Sequence, residues 1–171
     1  HHGAFGKTTR DQIGQDFSSR VANFKNVKEG LSFMRKVSEY THKELNGIKL
    51  VDKRSNKTTR FQVGTWDKAH SYTSSDGHRH NAGNFRYERT ENEKISLHIH
   101  THTRFGTDGG SQNPSKLDLQ LRNQADFQDC TLLIMKTSDG MLYNYNKMKN
   151  IKDTKNLELV NDERILQEYY K

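Results

Sequence analysis

A single domain of mixed α/β class, a β-sheet sandwiched by helices, is what this sequence predicts, on three observations. Val27, Leu31, Met34, Val37 and Tyr40 recur at three- and four-residue intervals, the stripe of an amphipathic helix. From Leu45 to Tyr145, short apolar runs alternate with clusters of Gly, Asn, Asp and Ser, the pattern of strands and turns. A chain of 171 residues is long enough to bury a core and too short for several domains.

The elements follow in order. Residues 1 to 25 are polar, with a weak helical pattern over Asp11 to Phe24, and read as an N-terminal extension to a domain spanning 26 to 171. The helix over Val27 to Tyr40 carries Gly30, which lowers its propensity slightly. Ile48 and Leu50, then Phe61 and Val63, flank a polar turn and predict a hairpin. Residues 67 to 84 have almost no apolar member and predict a loop. Strand character returns at Phe85, Tyr87 and Ile95 to Thr101. A Gly-rich loop from Gly106 to Asn113 ends at the chain's one proline, Pro114, before a helix marked by Leu117, Leu121 and Ala125. Cys130 to Met135 and Met141 to Tyr145 predict two strands around the turn Ser138-Asp139-Gly140. Asn161-Asp162-Glu163 caps a terminal helix holding Ile165 and Leu166. The predicted order is α-β-β-β-α-β-β-α.

Composition narrows the function classes. No run approaches the roughly 18 apolar residues of a membrane span, and the opening His-His-Gly-Ala-Phe-Gly lacks the apolar segment of a secretory signal. That opening reads as a cut from a longer polypeptide or as a tag remnant, and no function is assigned to His1 and His2. A single cysteine, Cys130, excludes an internal disulfide and a multi-thiolate zinc finger. Its apolar setting predicts a buried structural thiol. Lys and Arg number 28 against 21 Asp and Glu, a formal charge of +7. That surface is compatible with nucleic acid, but the basic residues are scattered, and a nucleic-acid partner is not favoured.

The chemistry concentrates in Leu97-His98-Ile99-His100-Thr101-His102. Residues two apart on a strand share a face, so the three histidines line one side. Two imidazoles at that spacing can reach one zinc ion, although a polar strand face wetted by water would look the same. Downstream, Ser115-Lys-Leu-Asp118 opens a helix with a carboxylate, which is also how a capping box is written. Upstream, Glu44 lies where the first helix meets the first strand, and alone it reads as an ordinary solvated acid. His78 and His80 form a second His-x-His in a polar loop without a nearby acid and read as surface residues, while Trp66 and Tyr72 read as packing.

Taken together, Glu44 with Gly47, His100-Thr101-His102 and Ser115-Lys-Leu-Asp118 resemble the JAMM (JAB/MPN) metalloprotease family, over about Val27 to Tyr145. That family is marked by an early Glu, then His-Ser/Thr-His-Pro, then Ser-x-x-Asp. Thr103 stands where the family has proline, and the loop from His102 to Ser115 exceeds the common spacing. The resemblance implies a JAB/MPN fold of cytidine deaminase-like architecture. It implies one zinc ion held by His100, His102 and Asp118, with Glu44 as the base and Ser115 on the oxyanion. His98, one pair further along, is expected behind the site or in the core. The divergent bacterial JAB-like domains at the C-termini of polymorphic toxins share this pattern. Likeness to them implies delivery into a target cell within a larger effector, a protein or peptide substrate and a neutralising immunity protein. Two alternatives remain at this point, a metal-dependent nuclease and a non-catalytic binding module of the same fold.

Overall fold

The computed structural model describes residues 21–65, 71–73, 79–81, 87–104 and 109–171. Their organising element is a seven-stranded sheet in the order β1-β3-β2-β6-β7-β8-β9. Its strands are β1 (Val21–Phe24), β2 (Leu45–Asp52), β3 (Thr58–Thr65), β6 (Glu93–His102), β7 (Thr131–Lys136), β8 (Leu142–Asn144) and β9 (Glu158–Leu159). All neighbours are antiparallel except β6 and β7. A parallel pair needs a crossover, which here holds the short helix α2 (Lys116–Gln120) and two 3-10 turns, Leu121–Asn123 and Ala125–Phe127. A separate two-stranded sheet pairs β4 (Ser71–Thr73) with β5 (Arg79–Asn81).

Each face of the large sheet carries its own apolar cluster. Helix α1 (Val27–Thr41) buries Val27, Leu31, Met34 and Val37 against Phe61, Val63, Leu97, Ile99 and Met135. The terminal helix α3 (Glu163–Tyr170) adds Leu166, Tyr169 and Tyr170 on that side. On the opposite face the crossover supplies Leu119, Leu121 and Phe127, which meet Ile48, Leu50, Leu132, Ile134 and Tyr145. The result is a mixed α/β domain with a seven-stranded mixed sheet and helices on both sides, as the class expectation held.

Glycine is used in α1 for close approach. A Cβ on Gly30 would lie 2.2 Å from Phe61 Cδ1, and one on Gly47 would lie 2.5 Å from Phe61 Cζ and 2.6 Å from Met34 Sδ. Two glycines on facing elements therefore make the slot that Phe61 fills. Alanine at position 30 improves helix propensity by about 1 kcal/mol, but overpacking costs about 1–3 kcal/mol. Gly30→Ala is accordingly expected to lower the urea midpoint, with Phe61→Leu in the same chain recovering part of the loss. A higher midpoint for the single variant would show that the slot relaxes freely.

Several boundaries depart from expectation. Val21–Phe24 form an edge strand on β3, not the end of a weak helix, because Val21 and Ala22 bury against the sheet. Part of the expected loop, 67 to 84, pairs as β4 and β5. Tyr87 is not in a strand: its ring meets Phe127 edge-on and its hydroxyl donates to Asp126 at 2.6 Å, so side-chain contacts hold it instead of a ladder. The helix after Ser115 stops at Gln120, and Leu117, expected in its apolar stripe, is 61% exposed. Asp118 faces inward, and the next residue back points about 100° around the helix, away from the core. Trp66, Phe85 and His78 lie outside the described residues, as do the side chains of Tyr72 and His80.

Candidate metal centre

The site lies at the C-terminal end of β6, the strand between β2 and β7. With neighbours on both edges, the strand holds His98, His100 and His102 in register with Ile48, Asn46 and, across the parallel pair, Leu132, Ile134 and Lys136. All three imidazoles are buried on the face covered by the crossover. His100 Nε2 and His102 Nε2 are 3.0 Å apart.

Asp118 reaches them from the first turn of α2. One carboxylate oxygen lies 3.2 Å from His100 Nε2 and 3.8 Å from His102 Nε2. The same oxygen accepts the Ser115 backbone N–H at 2.7 Å, and Ser115 Oγ accepts the Asp118 N–H at 3.1 Å. The capping box and the histidine contact are therefore one arrangement: the cap aims the carboxylate. It also uses Ser115 Oγ as an acceptor, which leaves the hydroxyl proton directed elsewhere. Burial pushes the Asp118 carboxyl up. The charge of His100, its contact with the carboxylate at 3.2 Å and the Ser115 N–H outweigh it and hold the acid well below the usual carboxylate range.

The tautomer of His102 follows from its other nitrogen. Nδ1 sits 2.6 Å from the Ser111 carbonyl oxygen, which can only accept, so Nδ1 carries a proton. In the neutral ring Nε2 then offers a lone pair toward His100 and Asp118. A backbone carbonyl behind a ligand imidazole is how metal sites orient their histidines. One atom from each of His100, His102 and Asp118 lies within 4.8 Å of the others, so the group can hold a metal ion. Glu44 stands at the rim: its side chain is 29% exposed, and a carboxylate oxygen is 4.0 Å from His102 Nε2.

The five residues singled out in the sequence thus meet in one place, with Ser115 beside Asp118 through the cap. His98 does not join the ligand atoms. Its Nε2 pairs with Asn46 Oδ1 at 2.9 Å and its buried ring meets Phe127 edge-on. Cys130 is buried, donates to the Phe127 carbonyl at 3.4 Å and has its thiol pushed up to about 12 by burial. Tyr145 was not anticipated. Its ring stands edge-on to His100, and its buried hydroxyl has no hydrogen-bond partner among the described residues.

Burial pushes the His98 imidazole well below its ordinary value, with the His100 charge adding to the shift and Asp118 opposing it. The native state therefore keeps His98 neutral where the unfolded chain, below about pH 6.5, binds a proton. Stability is complete above that pH and falls as pH drops, by up to about 1.4 kcal/mol per pH unit from this residue. After chelator treatment, urea midpoints at pH 7.5 and 5.5 are expected to diverge less in His98→Gln than in the wild type. Equal slopes would remove His98 from the acid response.

No helix among the described residues is long and apolar enough to cross a membrane. Comparison of the chain with models of protein families, with curated proteins and with solved structures gave no match.

Proposed function

We propose that this domain is a zinc-dependent peptidase or isopeptidase of the JAMM (JAB/MPN) type, acting as the effector domain of a larger bacterial toxin. The observation that carries this reading is the convergence of Glu44, His100, His102 and Asp118 from three separate segments, in the order the family motif requires. The order of elements from α1 to β8, with Ser-x-x-Asp opening the helix between two parallel strands, supports it further.

The donor set fits zinc. Ligands about 2.0–2.1 Å from zinc at tetrahedral angles lie about 3.3 Å from one another. The separations here are 3.0, 3.2 and 3.8 Å. Two imidazoles with one carboxylate suit zinc better than magnesium or manganese, which favour oxygen-rich sites. That chemistry argues against the magnesium-dependent nuclease. When bound, zinc supplies a Lewis acid that polarises a carbonyl and brings the pKa of water towards about 7.

The chain's own residues do the rest. Glu44, beside the ligand set and open to solvent, takes the proton from the attacking water and delivers it to the leaving amine. Ser115 directs its hydroxyl proton to the oxyanion of the tetrahedral intermediate. His102 keeps its orientation through Ser111, and Asp118 through the helix cap. A non-catalytic module of this fold is expected to lack the matching acid, and Glu44 is present.

The test is cleavage of mixed peptide and isopeptide libraries by the zinc-reconstituted chain, with chelator-treated protein alongside. New amine termini that vanish with chelator support the reading. Zinc-loaded protein that releases none overturns it.

A further inference from the structure

Behind the metal centre, on the face of β6 that meets α1, a second polar arrangement lies among apolar side chains. Ser38 of α1 and Thr101, between the two ligand histidines, are both fully buried. Ser38 Oγ donates to the Lys43 carbonyl at 2.5 Å, and the Leu45 N–H donates to Thr101 Oγ1 at 2.9 Å. The two hydroxyl oxygens are 2.7 Å apart. Because the Ser38 proton goes to Lys43, Thr101 must be the donor between them. One directed chain results: Leu45 N–H to Thr101, Thr101 O–H to Ser38, Ser38 O–H to the Lys43 carbonyl.

The two ends of that chain are the backbone groups immediately before and after Glu44. We infer that Ser38 and Thr101 are positioning residues for Glu44, a hydroxyl clamp fixing the backbone from which the base is presented beside the ligand histidines. The inference rests on the hydrolase reading of the site. Position matters here because residues 42 to 44 belong to neither α1 nor β2, and His42 ends the helix in the left-handed region at φ 60°. The side chain between them would otherwise be carried by a short connection with an exposed backbone. A strand places Thr101 opposite His100 and His102, so the same three residues of β6 present the metal ligands on one face and hold the base from the other.

Hydrolysis by the zinc-loaded chain separates this role from simple packing when read beside zinc content and amide exchange. Thr101→Val keeps the shape and removes the hydroxyl. It is expected to retain full zinc, to lower kcat on the order of 10–100-fold with KM within about twofold, and to speed Leu45 amide exchange by ~10-fold or more. Thr101→Ser should restore both rate and protection. Ser38→Ala, which leaves β6 intact, should repeat the fall in kcat if Thr101→Val folds poorly. Wild-type kcat in Thr101→Val despite faster Leu45 exchange would overturn the inference, as would a loss traced to missing zinc. Should the wild type hydrolyse nothing, the peptidase reading fails by itself. The exchange measurement still decides the clamp, and unchanged Leu45 protection in both variants would refute it.

Discussion

Asp118→Ala is expected to leave the purified chain without metal, where the wild type carries about one zinc per chain. Asp118 supplies one of three converging ligand atoms and the only anionic one in the set. Groups that merely orient a ligand already change metal affinity by about 10–100-fold, so loss of a ligand itself should exceed that. Alanine also removes the acceptor for the Ser115 N–H, and a lost cap costs about 1 kcal/mol. Asp118→Asn distinguishes the two effects, because the amide oxygen can still accept that N–H while the negative charge is gone. Elemental analysis after gel filtration should find neither variant loaded, with the asparagine protein nearer wild type in thermal stability. Zinc retained at one per chain in Asp118→Ala would remove this residue from the ligand set. Iron in place of zinc in the wild type would overturn the hydrolase reading.

Glu44→Gln should behave in the opposite way, keeping its metal and losing its chemistry. The Glu44 carboxylate stands 4.0 Å from His102 Nε2, outside the group of three that can share an ion. Glutamine preserves size and polarity but cannot take up a proton. General acid–base groups contribute about 10²–10⁴-fold, and a fall of that size in kcat is expected against unchanged zinc content. Loss of zinc along with activity would make Glu44 a ligand. Activity within a few-fold of wild type would require another base.

Elements that bury one continuous face were legible in the sequence. The stripe from Val27 to Val37 shows its period because one side packs and the other is wet. The hairpin, whose first strand is buried on both faces, shows instead through the polar turn at residues 52 to 58 between two apolar runs. Strands β4 and β5, three residues each, are too short to show an alternation, and β9 has two exposed residues with none to show. Tyr87 misled because an aromatic among polar residues looks like a strand whether a ladder or a side-chain partner buries it. At the site, the two-residue spacing of His100 and His102 and the Ser-x-x-Asp step were readable as periods of strand and helix. The carbonyl of Ser111 was not, since any residue has one. Ser38 did leave a trace, a hydroxyl four residues after Met34 on the buried side of α1, but its partner across the sheet could not be read from one helix.

The lengths of the strands bear on how this protein behaves when concentrated. The long strands β2, β3 and β6 all have neighbours on both edges, while among the described residues the outermost positions go to β1, with four residues, and β9, with two. An unpaired edge is a template on which another chain can extend the sheet. Here the template at one side is two residues long and carries Glu158 in an ion pair with Lys147 at 2.8 Å. A domain that carries its histidine cluster on a central strand thereby keeps its stickiest backbone away from solvent, and edge-to-edge polymerisation through the β9 side has almost nothing to grip.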